Sequence, residues 1–146
     1  MTTENLDLSW APAPRDVIQR FYKAVAEKDA AEITHLVNDA FAEDAVLTVP
    51  APLPHGGVHE GRTRIARLFS AVATSGSALG PHNLRLIGVV QDEATAVARL
   101  AFEWVGAPEA SPLPSRALEL WQFRDDRVQS IDAYYWDTTA LTSQGA

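Results

Sequence analysis

At 146 residues, 47% of them hydrophobic and 21% charged, the chain is the size of one ordinary domain and has apolar side chains enough for one core, which excludes both a second domain and a disordered tract. Its net charge of −7, with no basic cluster to override it, argues against nucleic acid and anionic membrane as partners. The absence of cysteine excludes disulfides, a thiolate zinc site and a cysteine nucleophile.

Residues 1–14 read as an N-terminal arm with Trp10 available to pin it, and they contain no apolar run of the kind a leader or membrane span needs. No later segment has the length to cross a bilayer, so a cytoplasmic protein is expected. Residues 15–140 form the expected single domain and residues 141–146 a tail, weakly helical at most. Pro14 suits the first turn of a helix, and Val17, Ile18, Phe21, Ala24 and Val25 then recur at helical spacing up to Lys28. Asp29 and Glu32 are spaced as a capping box for a second helix with Ile33, Leu36 and Val37 on its buried side, ended by Asn38 and Asp39. Ala45–Val49 is a short β-branched strand stopped by Pro50. The proline and glycine loop from Pro50 to Gly61 holds His55 and His59. It opens onto a third helix with Ile65, Leu68, Phe69 and Val72 on one side, closed by Ser75, Gly76 and Ser77.

Beyond that helix the period changes from helix to strand: His82–Val90, Thr95–Val105, and a hairpin from Ser115 to Asp137 whose turn is the charged tetrad Arg124, Asp125, Asp126 and Arg127. Helices first and strands afterwards predict an α+β domain rather than alternating βαβ units. Alternation along the strands predicts which side chains share the inner side: Ala98, Leu100, Phe102 and Trp104; Glu119, Trp121 and Phe123; and Ile131, Ala133 and Tyr135.

Glu119 stands out because a carboxylate among Leu118, Leu120 and Trp121 is costly to bury without a partner or a task. Two readings stand. Either it lies at a rim or interface, paired to Arg99 or Arg116, or it is buried with a raised pKa and acts as a proton donor or base. Tyr135, across the hairpin, is its expected neighbour, with a hydroxyl that either packs or donates to a bound oxygen. His82 either makes a structural hydrogen bond at a strand start or titrates in a reaction. His55 and His59 have a metal-like spacing, but Gly56 and Gly57 break any helix between them and no third ligand is evident, so no metal is expected. The alternatives are a solvated loop or a lid that brings one imidazole to a substrate. GGVHEGR lacks the lysine and hydroxyl of a phosphate loop, and no G-x-S-x-G elbow occurs, so no cofactor is expected.

The order of VIQRFYKAVAEKDAAEI, FAEDAVLTVP, HEGRTRIARLF, ARLAFEW and YYWD resembles the nuclear transport factor 2-like superfamily and its SnoaL-like, ketosteroid isomerase-like members. That resemblance implies a cone-shaped fold, in which a curved antiparallel sheet wraps on three N-terminal helices around an apolar pocket, and a homodimer through the outer side of the sheet. It also implies a small apolar substrate handled by acid/base chemistry, of the isomerase, dehydratase or cyclase type. Against ketosteroid isomerase, the base position corresponds to Val49 before Pro50, the oxyanion tyrosine to Phe21 with Tyr22 adjacent, and the protonated oxyanion acid to Glu119. Against limonene epoxide hydrolase, Arg99 is kept, its partner aspartate becomes Ala101, and the final-strand acid falls at Ala133 or Tyr134, with Asp132 reaching inward only through a bulge. The expected catalytic residues are Glu119, Tyr135 and His82. The expected pocket is lined by Phe21, Val49, His55, Phe69, Leu100, Phe102, Trp121 and Ile131. The alternative is a non-catalytic ligand-binding or dimerisation module.

Overall fold

The computed structural model describes residues 13–76 and 79–144, so most of the N-terminal arm, including Trp10, and Ser77 lie outside the described residues. The first helix, α1 (Pro14–Ala26), has Pro14 where no N–H partner is needed, Asp16 in its first turn and Lys23 in its last, each sign favoured by the helix dipole. It buries Val17, Ile18, Phe21, Tyr22 and Ala24. The Asp29 carboxylate accepts the Glu32 N–H at 3.1 Å to open α2 (Ala30–Ala40). The reciprocal half of the capping box is not made, because the Asp29 N–H goes to the Ala24 carbonyl at 2.9 Å and Glu32 reaches toward Arg20 at 4.0 Å.

Strand β1 (Phe41–Val49) begins before the expected Ala45, since Phe41 is itself wholly buried and the ladder is irregular between Phe41 and Val46. The loop after it contains a strand that its glycines concealed, β2 (Gly57–Glu60), which pairs antiparallel with β1 and sets His59 opposite Leu47. Next, α3 (Arg62–Thr74) buries Ile65 and Ala66, with Leu68 and Phe69 packed half-buried against the core. The chain then runs through β3 (Gly80–Asp92), β4 (Thr95–Val105), β5 (Leu113–Arg124), β6 (Arg127–Tyr135) and the short α4 (Thr138–Ser143). Asp125 and Asp126 both take positive φ, 52° and 64°, as a two-residue hairpin turn requires.

The strands form one open, curved, six-stranded sheet in the order β2-β1-β6-β5-β4-β3. The α+β cone expected from the sequence is thus present, with one correction: the sheet is mixed, because β1 and β6 run parallel. No tight turn forces them to oppose, since β1 meets β6 only after the rest of the fold has been traversed. The core lies between the helices and the inner side of the sheet, and α4 adds Leu141 to it. Among the described residues no helix is long and apolar enough to cross a membrane.

Candidate functional site

Directly paired residues share a side of the sheet, so the registers sort the site. Ala98, Glu119 and Ala133 form one inner row; Leu100, Ala117 and Tyr135 form the next. Trp121 stands between Ala96 and Ile131, and Ile131 in turn meets Leu47. On the outer side, Leu118 lies between Arg99 and Tyr134, and Arg116 lies opposite Ala101. This settles the final strand: Ala133 faces inward, whereas Asp132 and Tyr134 face outward. The β5–β6 bulge falls between Gln122 and Phe123, too far along to turn Asp132 in. Arg99 and Arg116 therefore cannot pair with Glu119, which overturns the rim ion-pair reading, and the epoxide-hydrolase constellation has no counterpart on the inner side.

Glu119 is 5% exposed and is the one buried charged residue among those described. Its Oε1 is shut away from solvent without a hydrogen-bond partner among the described residues. Desolvation disfavours the charged form and pushes the carboxyl up to about 8. At neutral pH Glu119 is thus mainly an acid, able to donate. Burial raises the Tyr135 phenol above its ordinary value, and the charge of Glu119 raises it further, so Tyr135 keeps its proton. Its diagonal place across the hairpin from Glu119 follows from the pairs Ala117 to Tyr135 and Glu119 to Ala133.

Two more polar atoms are buried without partners among the described residues, the Tyr22 hydroxyl and the Trp121 Nε1–H. Both groups belong to an aromatic cluster: Trp121 meets the rings of Phe21 at 5.5 Å, Phe41 at 5.8 Å and Tyr22 at 6.1 Å, and Phe21 meets Phe69 at 4.8 Å. Toward the other end of the inner side, Tyr135 lies 5.6 Å from Phe102 and 6.4 Å from Trp104. Orphaned polar groups inside a native core are rare. Tyr22, expected only as the neighbour of Phe21, is itself buried, and its place one turn after Ile18 extends the buried stripe of α1.

The other expected residues separate. Phe21, Leu100, Phe102, Trp121 and Ile131 are buried on the inner side, with Val49 and Phe69 half-buried beside them. His82 lies opposite Glu103, and the preceding residue, Pro81, lies opposite the inward Trp104, so His82 is on the outer side, away from Glu119. His55 is exposed in the β1–β2 loop, where its carbonyl oxygen and the His59 Nε2 are 2.7 Å apart. Two surface depressions, of about 290 and 450 Å³, lie at the β5–β6 turn and beside His82 and Glu103, and neither is lined by Glu119. Around Glu119 the inner side is packed with buried side chains, Ala98, Ala117, Trp121 and Ala133 among them.

Comparison with known proteins agrees with this fold. The SnoaL-like domain family matches residues 18–131. A search of curated protein sequences returned no match. Among solved structures, Bal32a from a soil-derived mobile gene cassette is similar with a TM-score of 0.70 at 18% identity, over 89% of this chain and 94% of that one. An NTF2-like protein of unknown function from Mesorhizobium loti is similar with a TM-score of 0.65 at 24% identity, over 86% and 96%. A protein of ketosteroid isomerase-like fold from Catenulispora acidiphila, in complex with trimethylamine, gives a TM-score of 0.63 at 15% identity, over 90% and 94%. At these identities the structures speak for the fold, and the family match covers most of the chain. The chain belongs to the SnoaL-like domain family of the nuclear transport factor 2-like superfamily.

Proposed function

We propose that the protein is an enzyme performing general acid/base chemistry with its own side chains on a small, largely apolar molecule held against the inner side of the sheet. The observation that carries this reading is Glu119: a buried carboxyl with an oxygen lacking a partner, next to Tyr135. Such a group is expensive to keep unless a ligand completes it. In its protonated form Glu119 donates to a ligand oxygen on which negative charge develops, with Tyr135 as a second donor; once ionised it is a base. The aromatic and aliphatic walls supplied by Phe21, Phe102, Trp121 and Ile131 suit an apolar body bearing one such oxygen. Isomerisation, dehydration and cyclisation all use this device. The Catenulispora neighbour holding trimethylamine supports a small ligand as the partner. Glu119→Gln keeps the shape and removes the titrating proton, so turnover should fall about 100-fold or more; turnover equal to the parent rejects the assignment.

A second reading, a binding module without chemistry, is favoured by one feature: among the described residues no second buried carboxylate accompanies Glu119, and the family's base position holds Val49. Incubation followed by mass analysis of the ligand separates the two, since a binding module returns it intact.

The proposal includes a homodimer through the outer side of the sheet. Val90, Leu118 and Tyr134 are each exposed there by 49% or more, between Arg99 and Arg116 on one hand and Glu103 and Asp132 on the other. An apolar centre flanked by both signs of charge is self-complementary under a two-fold axis, which suits a second copy. Sedimentation at micromolar concentration should give a dimer, and Leu118→Arg a monomer. A monomeric parent contradicts the arrangement.

A further inference from the structure

We propose that α4 is a removable cap over the end of the inner side, and that small apolar molecules reach Glu119 when it lifts. This rests on the reading of the inner side as the ligand site. The Glu119 Oε1 is shut away from solvent, so something must move for a ligand to bond to it. Most of its cover is hard to displace: α1 is anchored by five buried residues and the flanking strands by long antiparallel ladders. By contrast, α4 has one buried residue, Leu141, and six residues are too few to keep a helix once its seat is lost.

The seat is small and specific. The Trp104 indole N–H donates to the Leu141 carbonyl at 3.1 Å, the Gln144 amide N–H to the Ser111 carbonyl at 3.1 Å, and the Gly106 N–H to the Gln144 amide oxygen. These groups converge on Gly106, where an added Cβ would stand 2.9 Å from Gln144 Oε1, from the Leu141 carbonyl oxygen and from Trp104 Nε1. Gly106 is absent from the positive-φ glycines, so its backbone conformation is open to alanine and the lack of a side chain serves the seat itself. Beneath the cap, Trp104 and Phe102 meet Tyr135, and Tyr135 adjoins Glu119, which gives an aromatic throat leading to the carboxyl. The pivot is Asp137, at φ 50°, whose carboxylate accepts the Ala140 N–H at 3.1 Å; just before it, Trp136 is held on the outside by the Arg116 guanidinium 4.4 Å from its ring. Lifting α4 about Asp137 thus breaks three hydrogen bonds and withdraws one leucine while β6 stays paired.

The test uses the full chain with Gly106→Ala as a wedge and Gln144→Ala as a milder variant that removes two of the three bonds without adding bulk. Hydrogen exchange of the Trp104 indole N–H reports lifting, and fluorine NMR exchange of 4-fluoroacetophenone reports entry of a small apolar ketone. Both variants should speed indole exchange and both the association and dissociation rates of the ketone by about tenfold or more, with protection of the β4 and β5 backbone amides unchanged. Unchanged indole exchange overturns the cap. Faster indole exchange with unaltered ketone rates, or no ketone binding by any of the three proteins, overturns its role as the entrance. Repeating the ketone measurement on Glu119→Gln separates the two readings, since entry through the cap persists there even if Glu119 has no part in turnover.

Discussion

Unfolding free energy should fall as pH rises from 5 to 8, and Glu119→Gln should remove most of that slope. Glu119 rises from 4.5 to about 8 on folding, with desolvation as its cause. Between those values the folded chain holds a proton that the unfolded chain releases, so the native state binds more protons and loses stability with increasing pH. The contribution is complete below the unfolded pKa and is lost through the folded one. A displacement of this size corresponds to about 5 kcal/mol, a large part of the roughly 5–15 kcal/mol that holds an ordinary domain. Urea unfolding of parent and variant at pH 5, 6.5 and 8 measures it. Parallel curves for the two proteins would mean that Glu119 titrates as a solvated carboxylate.

Trp121→Ala should cost about 3–5 kcal/mol, the usual price of removing a large aromatic side chain from a closed core. Trp121 has no exposure, and its ring touches Phe21, Tyr22, Phe41 and Phe123, which come from α1, β1 and its own strand. Its loss opens a hole that three elements would have to close together. Because its Nε1–H has no partner among the described residues, replacement by phenylalanine leaves no orphaned polar group behind. Trp121→Phe should accordingly cost much less than Trp121→Ala, and urea midpoints of the three proteins give the comparison. Equal losses would mean that the indole N–H, rather than ring volume, carries the stability.

Much of this architecture was legible because it depends on local period. The stripe on α1, the Thr95–Val105 strand and the turn at Asp125 and Asp126 follow from spacing and turn chemistry alone. Alternation also placed Glu119 on the inner side with Trp121 and Tyr135, since side-chain parity is fixed once a strand is recognised. What escaped depended on long-range pairing. β2 was hidden because Gly57 and the prolines before it read as loop until β1 offers a ladder. The parallel β1–β6 pair cannot be inferred from either strand's own sequence. His82 was set aside only by the register against Glu103, and Arg99 only by the register against Leu118. That the Glu119 Oε1 has no partner among the described residues is likewise a property of the whole core, because it depends on what every neighbouring strand turns inward.

Glu119 is a buried, proton-holding acid on the inner side of the cone. The most direct test of this is the titration of the Glu119 side-chain carboxyl carbon by NMR in the folded protein, with the resonance assigned by its loss in Glu119→Gln. The midpoint should lie near 8 and shift with a ligand that bonds to the carboxyl; a midpoint near 4.5, unmoved by any ligand, would mean that the carboxyl is not held in its protonated form by burial.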